Sequence, residues 1–269
     1  MERILTIKEL QDIELQIMIS FDDYCRNNGL EYSLGGGSMI GAIRHNGFIP
    51  WDDDIDVFML RREYNKLLSM TEKDANCFGE KYILLSQKER GYYYPYIKLV
   101  DKNTKIIEKN LKQIDRLGVW IDIFPIDYIS DDKEKAIENT NKNVKVVKKI
   151  MKLNTHRNYG GMKSRIINGL YDGYRLLNFG SCEKLIKYVQ RFSENEYKKY
   201  GGTVCWALSE KDCYPMEYFD SYMDVLFEGY KFKIFSKYDE ILSSRYGNYK
   251  ELPLIENRVS HSPFAFLAE

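Results

Sequence analysis

The sequence predicts an α+β fold, in which helices flank a mixed sheet and a mainly helical segment follows it. Before residue 130, apolar residues three and four apart alternate with short apolar runs bounded by turn residues, the patterns of amphipathic helices and of strands. From residue 131 to about 200 only the helical spacing remains. We therefore expect a core at residues 1–130, a mainly helical, basic subdomain at 131–215, and a hairpin and helix at 216–269 that pack back on the core.

The first helix is predicted by both of its ends. Thr6 and Glu9 stand three residues apart, as in a capping box, and Asn28-Gly29 supplies a stop. The apolar residues between them recur at helical spacing: Leu10, Ile13, Ile17, Phe21 and Tyr24.

The remaining elements follow from apolar runs and turn residues. A short strand at 31–34 leads through a glycine-rich turn to a short helix at 39–44, and a second helix is expected at 61–70. Further strands are expected at 55–60, 82–85, 92–100, 105–108 and 118–123. Near the end, Glu228-Gly229 predicts a hairpin, and Gly247 closes a helix that begins at Lys237.

The overall charge argues against a nucleic-acid-binding protein. Forty Lys and Arg balance forty Asp and Glu, so no global field attracts polyanions. Five cysteines without a CxxC pair indicate neither a disulfide framework nor a zinc ribbon. The N-terminal residues lack the pattern of a signal peptide, and no window is apolar enough to span a bilayer. We expect a cytoplasmic protein.

Most of the functional information lies in residues 33–57. The glycines here lack the Lys and Ser or Thr of a phosphate loop, and Ile40 stands where a dinucleotide fingerprint needs its third glycine. A calcium loop beginning at Asp52 is disfavoured because Val57 occupies its glycine position. A prenyl synthase diphosphate motif needs its carboxylates on a helix, whereas Pro50 favours a turn.

The aspartates of this segment predict a cation site. Alternation along a strand puts Asp54 and Asp56 on one face, while Ile55 and Val57 enter the core. Two facing carboxylates repel unless a cation lies between them, and hard oxygen ligands suit Mg²⁺ or Mn²⁺. The glycine turn that opens the following helix aims backbone N–H groups at an anion, with the Ser38 hydroxyl as a further donor.

A third acid, Asp122, lies in the apolar run between Ile121 and Ile123. An acid in so apolar a strand is either buried and paired or projects from the functional face of the sheet. A glycine-serine turn, two aspartates on one strand and a third on a later strand resemble the arrangement of the nucleotidyltransferase fold.

The resemblance narrows to one family. Residues 35–56 read GGGSMIGAIRHNGFIPWDDDID, and residues 120–127 read WIDIFPID. With Phe227-Glu-Gly229 and Tyr246-Gly-Asn-Tyr249 near the end, these segments resemble the LicD family of phosphocholine transferases, to which fukutin-related transferases are similar. The resemblance implies transfer of a phospho-alcohol from a cytidine diphosphate donor, CDP-choline or a related CDP-alcohol, to a lipid-linked or other glycan acceptor such as a teichoic acid precursor.

The resemblance also implies roles for individual residues. Asp54, Asp56 and Asp122 would hold the metal ion, and Gly36, Gly37 and Ser38 would bind the phosphates. Independently of the resemblance, the acceptor hydroxyl needs a base, and Asp122 or an oxygen of Asp54 that does not bind the metal is a candidate.

Other candidate residues follow from position alone. Arg44 and His45 lie at the end of the short helix. They would either bind the diphosphate of the donor or simply form a solvated helix end. The Lys98 ammonium would either contact a phosphate of the donor or be solvent-exposed on an edge strand. Proteins bind the quaternary ammonium group of choline through cation–π contacts with aromatic rings. The aromatic residues nearest to the predicted site in sequence are Trp51, Tyr92, Tyr93, Tyr94, Tyr96 and Trp120.

The segment 141–180 carries nine basic residues and one acid, Asp172. Lys145, Lys148 and Lys149 oppose Val144, Val147 and Ile150, which is the pattern of a basic amphipathic helix on an anionic membrane or of a solvated helix packed on its own domain. The first alternative predicts peripheral contact with the inner membrane face.

Two other functions remain open at this point. Nucleotide transfer to a small acceptor would release pyrophosphate, whereas phospho-alcohol transfer releases CMP. A non-catalytic nucleotide-binding module is the third hypothesis, and it would not need all three aspartates together with the glycine-serine turn.

Overall fold

The computed structural model describes residues 3–157, 161–177, 181–254, 256, 258 and 264–267. Its helices are α1 (Ile7–Asn27), α2 (Gly36–His45), α3 (Arg61–Lys73), α4 (Lys133–Leu153), α5 (Met162–Leu177), α6 (Ser181–Val189) and α7 (Tyr238–Tyr246). Short 3-10 helices cover Val204–Trp206, Glu210–Asp212 and Met216–Phe219.

The strands run in both directions. They are β1 (Ser33–Leu34), β2 (Asp56–Leu60), β3 (Tyr82–Leu85), β4 (Ile97–Asp101), β5 (Thr104–Ile107), β6 (Trp120–Ser130), β7 (Tyr200–Gly202), β8 (Tyr214–Pro215), β9 (Tyr222–Phe227), β10 (Tyr230–Phe235) and β11 (Phe264–Leu267). The main sheet has the order β1-β2-β6-β4-β3, with β7 beside the second half of β6 and β8 beside β7. β2 and β6 are parallel, whereas the other neighbouring pairs in this sheet are antiparallel. The predicted α+β fold with a mixed sheet is confirmed.

Helix α1 begins as predicted. The Thr6 hydroxyl accepts a hydrogen bond from the Glu9 N–H, and the Glu9 carboxylate accepts one from the Thr6 N–H. Its inner face is buried against the sheet, with Ile17 and Phe21 fully enclosed. Helix α2 begins at Gly36, three residues earlier than expected, so the glycine-rich turn is itself the first turn of the helix.

Strand β6 is longer than predicted, because it continues through Pro125 to Ser130. A proline has no N–H to donate and is tolerated where one neighbouring strand is missing. Pro125 pairs with Met59 of β2 on one side. On its other side, pairing with β4 ends at Ile123 and pairing with β7 begins at Asp127. The proline therefore occupies the gap between two successive neighbours.

The strand predicted at 92–100 begins only at Ile97. The preceding tyrosines are buried, but they pack on one another instead of pairing with a strand. The Tyr94 ring lies 5.8 Å from that of Tyr92 and 5.3 Å from that of Tyr96, between centroids. Pro95, which cannot donate to a strand ladder, lies within this segment.

The C-terminal hairpin and helix are confirmed. Glu228 and Gly229 both have positive φ, 50° and 82°, which is the geometry of a two-residue turn that matches the twist of a hairpin. Helix α7 ends at Tyr246 before Gly247, whose φ is 68°.

The apolar face of helix α4, which the sequence analysis considered as a membrane-binding face, is buried inside the protein. Val147 and Ile150 form a small core with Ile186 and Val189 of α6. The side-chain amide of Asn143 is buried and donates to the carbonyl groups of Val189 and Val204. The lysines on the other side of α4 are exposed. The alternative of a solvated helix packed on its own domain therefore describes α4. The division of the chain at residues 130 and 215 stays a prediction.

In the part of the chain that the structure describes, no helix combines the length and the apolar character needed to cross a membrane.

Candidate active site

A cavity of about 440 Å³ opens where the start of α2 faces the first residues of β2 and β6. Its lining residues come from five separate parts of the chain: Gly36, Gly37, Ile40, Ile49, Asp52, Asp54, Asp56, Phe58, Asp122, Phe124, Thr203, Trp206, Leu208, Arg245 and Tyr246. Four of these side chains are carboxylates and four are aromatic. The predicted aspartates Asp54, Asp56 and Asp122 thus share one cavity.

The sheet register places two of the aspartates side by side. Asp56 of β2 is the direct partner of Asp122 of β6, and Asp122 is the direct partner of Lys98 of β4. Across the sheet the sequence of side chains is therefore carboxylate, carboxylate, ammonium. Asp54 precedes β2. Ile55 and Val57, which alternate with Asp54 and Asp56 along the chain, are fully buried, as the alternating pattern predicted.

The first turn of α2 is held against the aspartates. A Cβ at Gly36, whose φ is +46°, would lie 2.6 Å from Oδ2 of Asp56. A Cβ at Gly37 would lie 2.5 Å from Oδ2 of Asp52. A side chain at either position would force the facing carboxylate to move, and at Gly36 the positive φ would add backbone strain. The close approach leaves the positive end of the helix facing the cavity, where it favours an anion.

Ser38 has a different place from the one that the resemblance implies. Its side chain is buried, and its hydroxyl accepts a hydrogen bond of 2.9 Å from the backbone N–H of Asp56. It joins the first turn of α2 to the start of β2 and is not among the residues that line the cavity. Its contact with Asp56 makes it a positioning residue for that aspartate.

Lys98 is neither an edge-strand lysine nor a lining residue of the cavity. β4 lies between β6 and β3, and only 1% of Lys98 is exposed. Its ammonium lies 2.6 Å from Oδ1 of Asp122. It also lies 3.9 Å from the centre of the Trp120 ring and 4.4 Å from that of Tyr94. A buried charge needs a partner, and Asp122 is that partner.

Arg44 and His45 lie at the far end of α2 from the aspartates. The Arg44 guanidinium donates to His45 and to the carbonyl oxygens of Tyr249 and Glu251. Trp51 is partly buried, and the Arg258 guanidinium lies 4.5 Å from the centre of its ring. The structure brings none of Arg44, His45 and Trp51 to the cavity wall.

Several cavity residues, among them Arg245 and Trp206, were not predicted from the sequence. Arg245 of α7 forms an ion pair with Asp212, which is 1% exposed and also accepts hydrogen bonds from the N–H groups of Leu208 and Ser209. Trp206 lies in the 3-10 helix just before this segment. No motif marks either residue, because their closeness to the aspartates depends on chain folding over more than 80 residues.

Glu14 of α1 was also missed, although the sequence holds a signal for it. It falls on the same helix face as Leu10 and Ile17 and is 3% exposed, and its Oε2 has no hydrogen-bond partner. Burial, and then the charges of Asp54 and Asp53, raise the pKa of Glu14 well above its usual range. The position of Glu14 on the apolar face of the first helix was the sequence signal that could have predicted its burial.

The carboxylates of the cavity repel one another. Burial raises the pKa of Asp56 well above its usual range, and the charges of Asp54 and Asp122 add to the effect. Burial also raises the pKa of Asp122, against the opposing influence of Lys98. A bound cation would relieve this repulsion.

The donor set fits Mg²⁺ or Mn²⁺, since the ligating atoms available are hard carboxylate oxygens. Within the described residues, no group of three or more His, Cys, Asp or Glu side chains is already arranged to hold a metal ion. Mg²⁺ commonly takes only one or two carboxylates from the protein and completes its shell with water and substrate phosphate. Asp54 and Asp56 can supply such a partial set.

Residues 29–165, slightly more than half of the chain, match the family described as LicD/FKTN/FKRP, nucleotidyltransferase domain. This chain belongs to the LicD family. The family predicted from the motifs is confirmed, and the matched range includes α2 together with Asp54, Asp56 and Asp122.

Similarity to one individual protein extends beyond the matched domain. The lipopolysaccharide cholinephosphotransferase LicD of Haemophilus influenzae is 29% identical over 261 residues, which are 96% of each chain. Uncharacterised proteins of Rickettsia prowazekii and Rickettsia typhi are each 33% identical over 48 residues, 18% of this LicD family chain and 18% and 16% of their own.

Proposed function

We propose that this transferase of the LicD family moves phosphocholine from CDP-choline to a sugar hydroxyl of a cell-surface glycan precursor. The observation that carries the proposal is the similarity to a lipopolysaccharide cholinephosphotransferase along 96% of both chains. The cavity supports it chemically, because it combines carboxylates, a helix start and aromatic rings.

The diphosphate of the donor would lie between the start of α2 and Arg245. Backbone N–H groups at a helix start bind phosphate oxygens, and a guanidinium can hold two oxygens at once. The Arg245–Asp212 ion pair fixes the guanidinium at the cavity wall. Arg245 would thus take the role for which Arg44 and His45 were candidates in the sequence.

Mg²⁺ or Mn²⁺ would be held by Asp54 and Asp56, with Asp122 beside them. When bound, the ion would neutralise charge on the diphosphate and on the departing CMP. Lys98 would keep the Asp122 carboxylate in one orientation, because one of its oxygens is already engaged.

The acceptor hydroxyl would attack the β-phosphorus, forming a new P–O bond as the bond from that phosphorus to the bridging oxygen breaks. CMP leaves with the electron pair of the broken bond. The proton of the hydroxyl would pass to a carboxylate, for which Asp122 and Asp54 are the candidates that line the cavity.

The choline head group would lie against rings other than those nearest in sequence. Tyr94, Tyr96 and Trp120 already surround the internal cation Lys98. The rings that line the cavity are Phe58, Phe124, Trp206 and Tyr246. A quaternary ammonium group is attracted both to aromatic faces and to the surrounding carboxylates.

The acceptor would be a sugar of lipopolysaccharide or of a teichoic acid precursor. Such precursors are carried on lipids, so the proposal includes a cytoplasmic enzyme in peripheral contact with the inner membrane face through residues 141–180. Residues 158–160 and 178–180 of that segment lie outside the described residues.

Product analysis tests the proposal. The purified protein is incubated with Mg²⁺ and CDP-choline, CDP-ribitol or CDP-glycerol, with and without a glycan acceptor, and nucleotides are separated by chromatography. The proposal predicts CMP from CDP-choline in preference to the other donors. A parallel incubation contains CTP or ATP, and release of pyrophosphate there, without CMP from the CDP donors, would show nucleotide transfer. No turnover and no binding of any donor would contradict catalysis.

A further inference from the structure

Helix α5 presents an apolar stripe that nothing in the described structure covers. Met162, Ile166, Leu170 and Leu177 follow one another at spacings that place them on one side of the helix. Their exposed fractions are 71%, 59%, 71% and 88%. None of the residues of α5 is buried. Large apolar side chains exposed in a row are typical of an interaction surface.

The opposite side of α5 fixes the direction in which the stripe points. Tyr174 packs its ring 5.0 Å from the ammonium of Lys152 at the end of α4. The Arg175 guanidinium donates to the carbonyl oxygen of Thr155, and the Asn168 amide donates to that of Arg157. These contacts hold the half-buried side of α5 against the protein, so the exposed apolar stripe faces outward.

The charges beside the stripe identify what it fits. At 100° per residue, Lys163 and Arg165 flank the stripe on its two sides. The acid of this segment, Asp172, forms an ion pair with Arg175 and so contributes little negative field. The neighbouring helix α4 carries further exposed lysines: Lys145, Lys148, Lys149 and Lys152.

We infer that α5 docks on a membrane surface that carries anionic lipid. Its apolar stripe would enter the boundary between headgroups and acyl chains, and its flanking cations would contact lipid phosphates, which is how interfacial amphipathic helices bind. Pairing with a second copy of this surface would oppose like charges, whereas an anionic bilayer complements them. The α4 lysines contribute charge, but the apolar side chains that reach the lipid belong to α5.

This inference extends the proposed function, because a lipid-linked acceptor lies at such a surface, but its test does not depend on catalysis. Flotation is measured with vesicles of phosphatidylcholine alone and of phosphatidylcholine with phosphatidylglycerol. The full-length protein is compared with Ile166→Ser/Leu170→Ser and with the control Leu252→Ser/Leu254→Ser, which removes leucines 54% and 64% exposed elsewhere. A third variant, Lys148→Glu/Lys149→Glu, tests the charge.

We expect salt-sensitive flotation with the anionic vesicles only, reduced at least about tenfold by Ile166→Ser/Leu170→Ser and by the charge reversal but not by the control. Absence of flotation, or equal flotation of the Ile166→Ser/Leu170→Ser variant, would overturn the inference. So would dimers in sedimentation that this variant abolishes, since the stripe would then be a contact between copies. CMP release from CDP-choline by the wild-type protein is measured on the same preparation without vesicles. Wild-type protein that floats but releases no CMP would count against the proposed function and not against membrane docking.

Discussion

The ammonium of Lys98 lies 2.6 Å from Oδ1 of Asp122, in the interior of the sheet and against the aspartate row of the cavity. Both residues are at most 8% exposed. Lys98 therefore fixes the orientation of Asp122, while Asp56 of the neighbouring strand and Asp54 just before it line the same cavity.

Replacing Lys98 with Met should cost stability and activity together. The change leaves the Asp122 charge buried without its cation, and breaking a buried ion pair typically costs about 3–5 kcal/mol. Urea unfolding measures the loss, with Lys102→Met, an exposed lysine after β4, as the control. Adding Asp122→Asn to Lys98→Met should restore most of the stability but not the rate of CMP release. Equal stability of Lys98→Met and wild type would contradict this pairing.

Trp206→Leu should reduce the preference of the cavity for a quaternary ammonium. The ring lines the cavity and is held by Tyr94 and Tyr96, with centroids 5.5 and 5.2 Å away. We expect kcat/KM for CDP-choline to fall about tenfold relative to its uncharged isostere, CDP-3,3-dimethylbutanol, because a cation–π contact contributes about 1 kcal/mol or more.

Two controls accompany the Trp206 prediction. Trp206→Phe should keep most of the preference, and Tyr188→Leu, a change at a half-exposed ring on α6, should leave it unchanged. An unaltered ratio between the two donors in Trp206→Leu would show that the head group binds elsewhere.

Arg245→Met should weaken donor binding. Loss of a guanidinium that contacts phosphate is expected to raise KM for CDP-choline about tenfold or more. The same change leaves buried Asp212 without its ion-pair partner, so stability falls too. The double variant Arg245→Met/Asp212→Asn separates the effects: it should regain stability and keep the raised KM. A normal KM in this folded double variant would remove Arg245 from the donor site.

Asp127, the second acid of the WIDIFPID segment, should matter for stability and not for chemistry. It is fully buried, and its carboxylate accepts hydrogen bonds of 2.6 and 2.9 Å from the Arg61 guanidinium. Asp127→Asn should destabilise the protein by about 3–5 kcal/mol, while the rate per folded molecule stays within a few fold of wild type. A large loss of rate in fully folded protein would place this acid in the reaction.

The sequence was sufficient where chemistry is local. The capping box at Thr6, the hairpin at Glu228 and the face shared by Asp54 and Asp56 each depend on a few neighbouring residues. The motifs also identified the family. The surroundings of Lys98 could not be predicted, because its partner Asp122 lies on another strand and the rings that enclose it become neighbours only when the sheet forms.

The cavity wall shows the same limit. Arg245 and Trp206 lie far along the chain from the aspartates, whereas Arg44 and His45, close in sequence, are separated from them by the length of α2. The apolar stripe of α5 has helical spacing like that of any core helix. Only the packing of the opposite side of α5 on the end of α4 and the residues after it shows that the stripe faces outward.

The rate of CMP release from CDP-choline by aspartate variants tests the central claim most directly. Asp54→Asn and Asp56→Asn are compared with wild type and with Asp12→Asn, a change at an exposed aspartate on α1 paired with Lys8. If the cavity is the active site, each of the first two changes should lower the Mg²⁺-dependent rate at least about a hundredfold, while Asp12→Asn leaves it unchanged. Folded Asp54→Asn and Asp56→Asn proteins that release CMP at the wild-type rate would contradict the account.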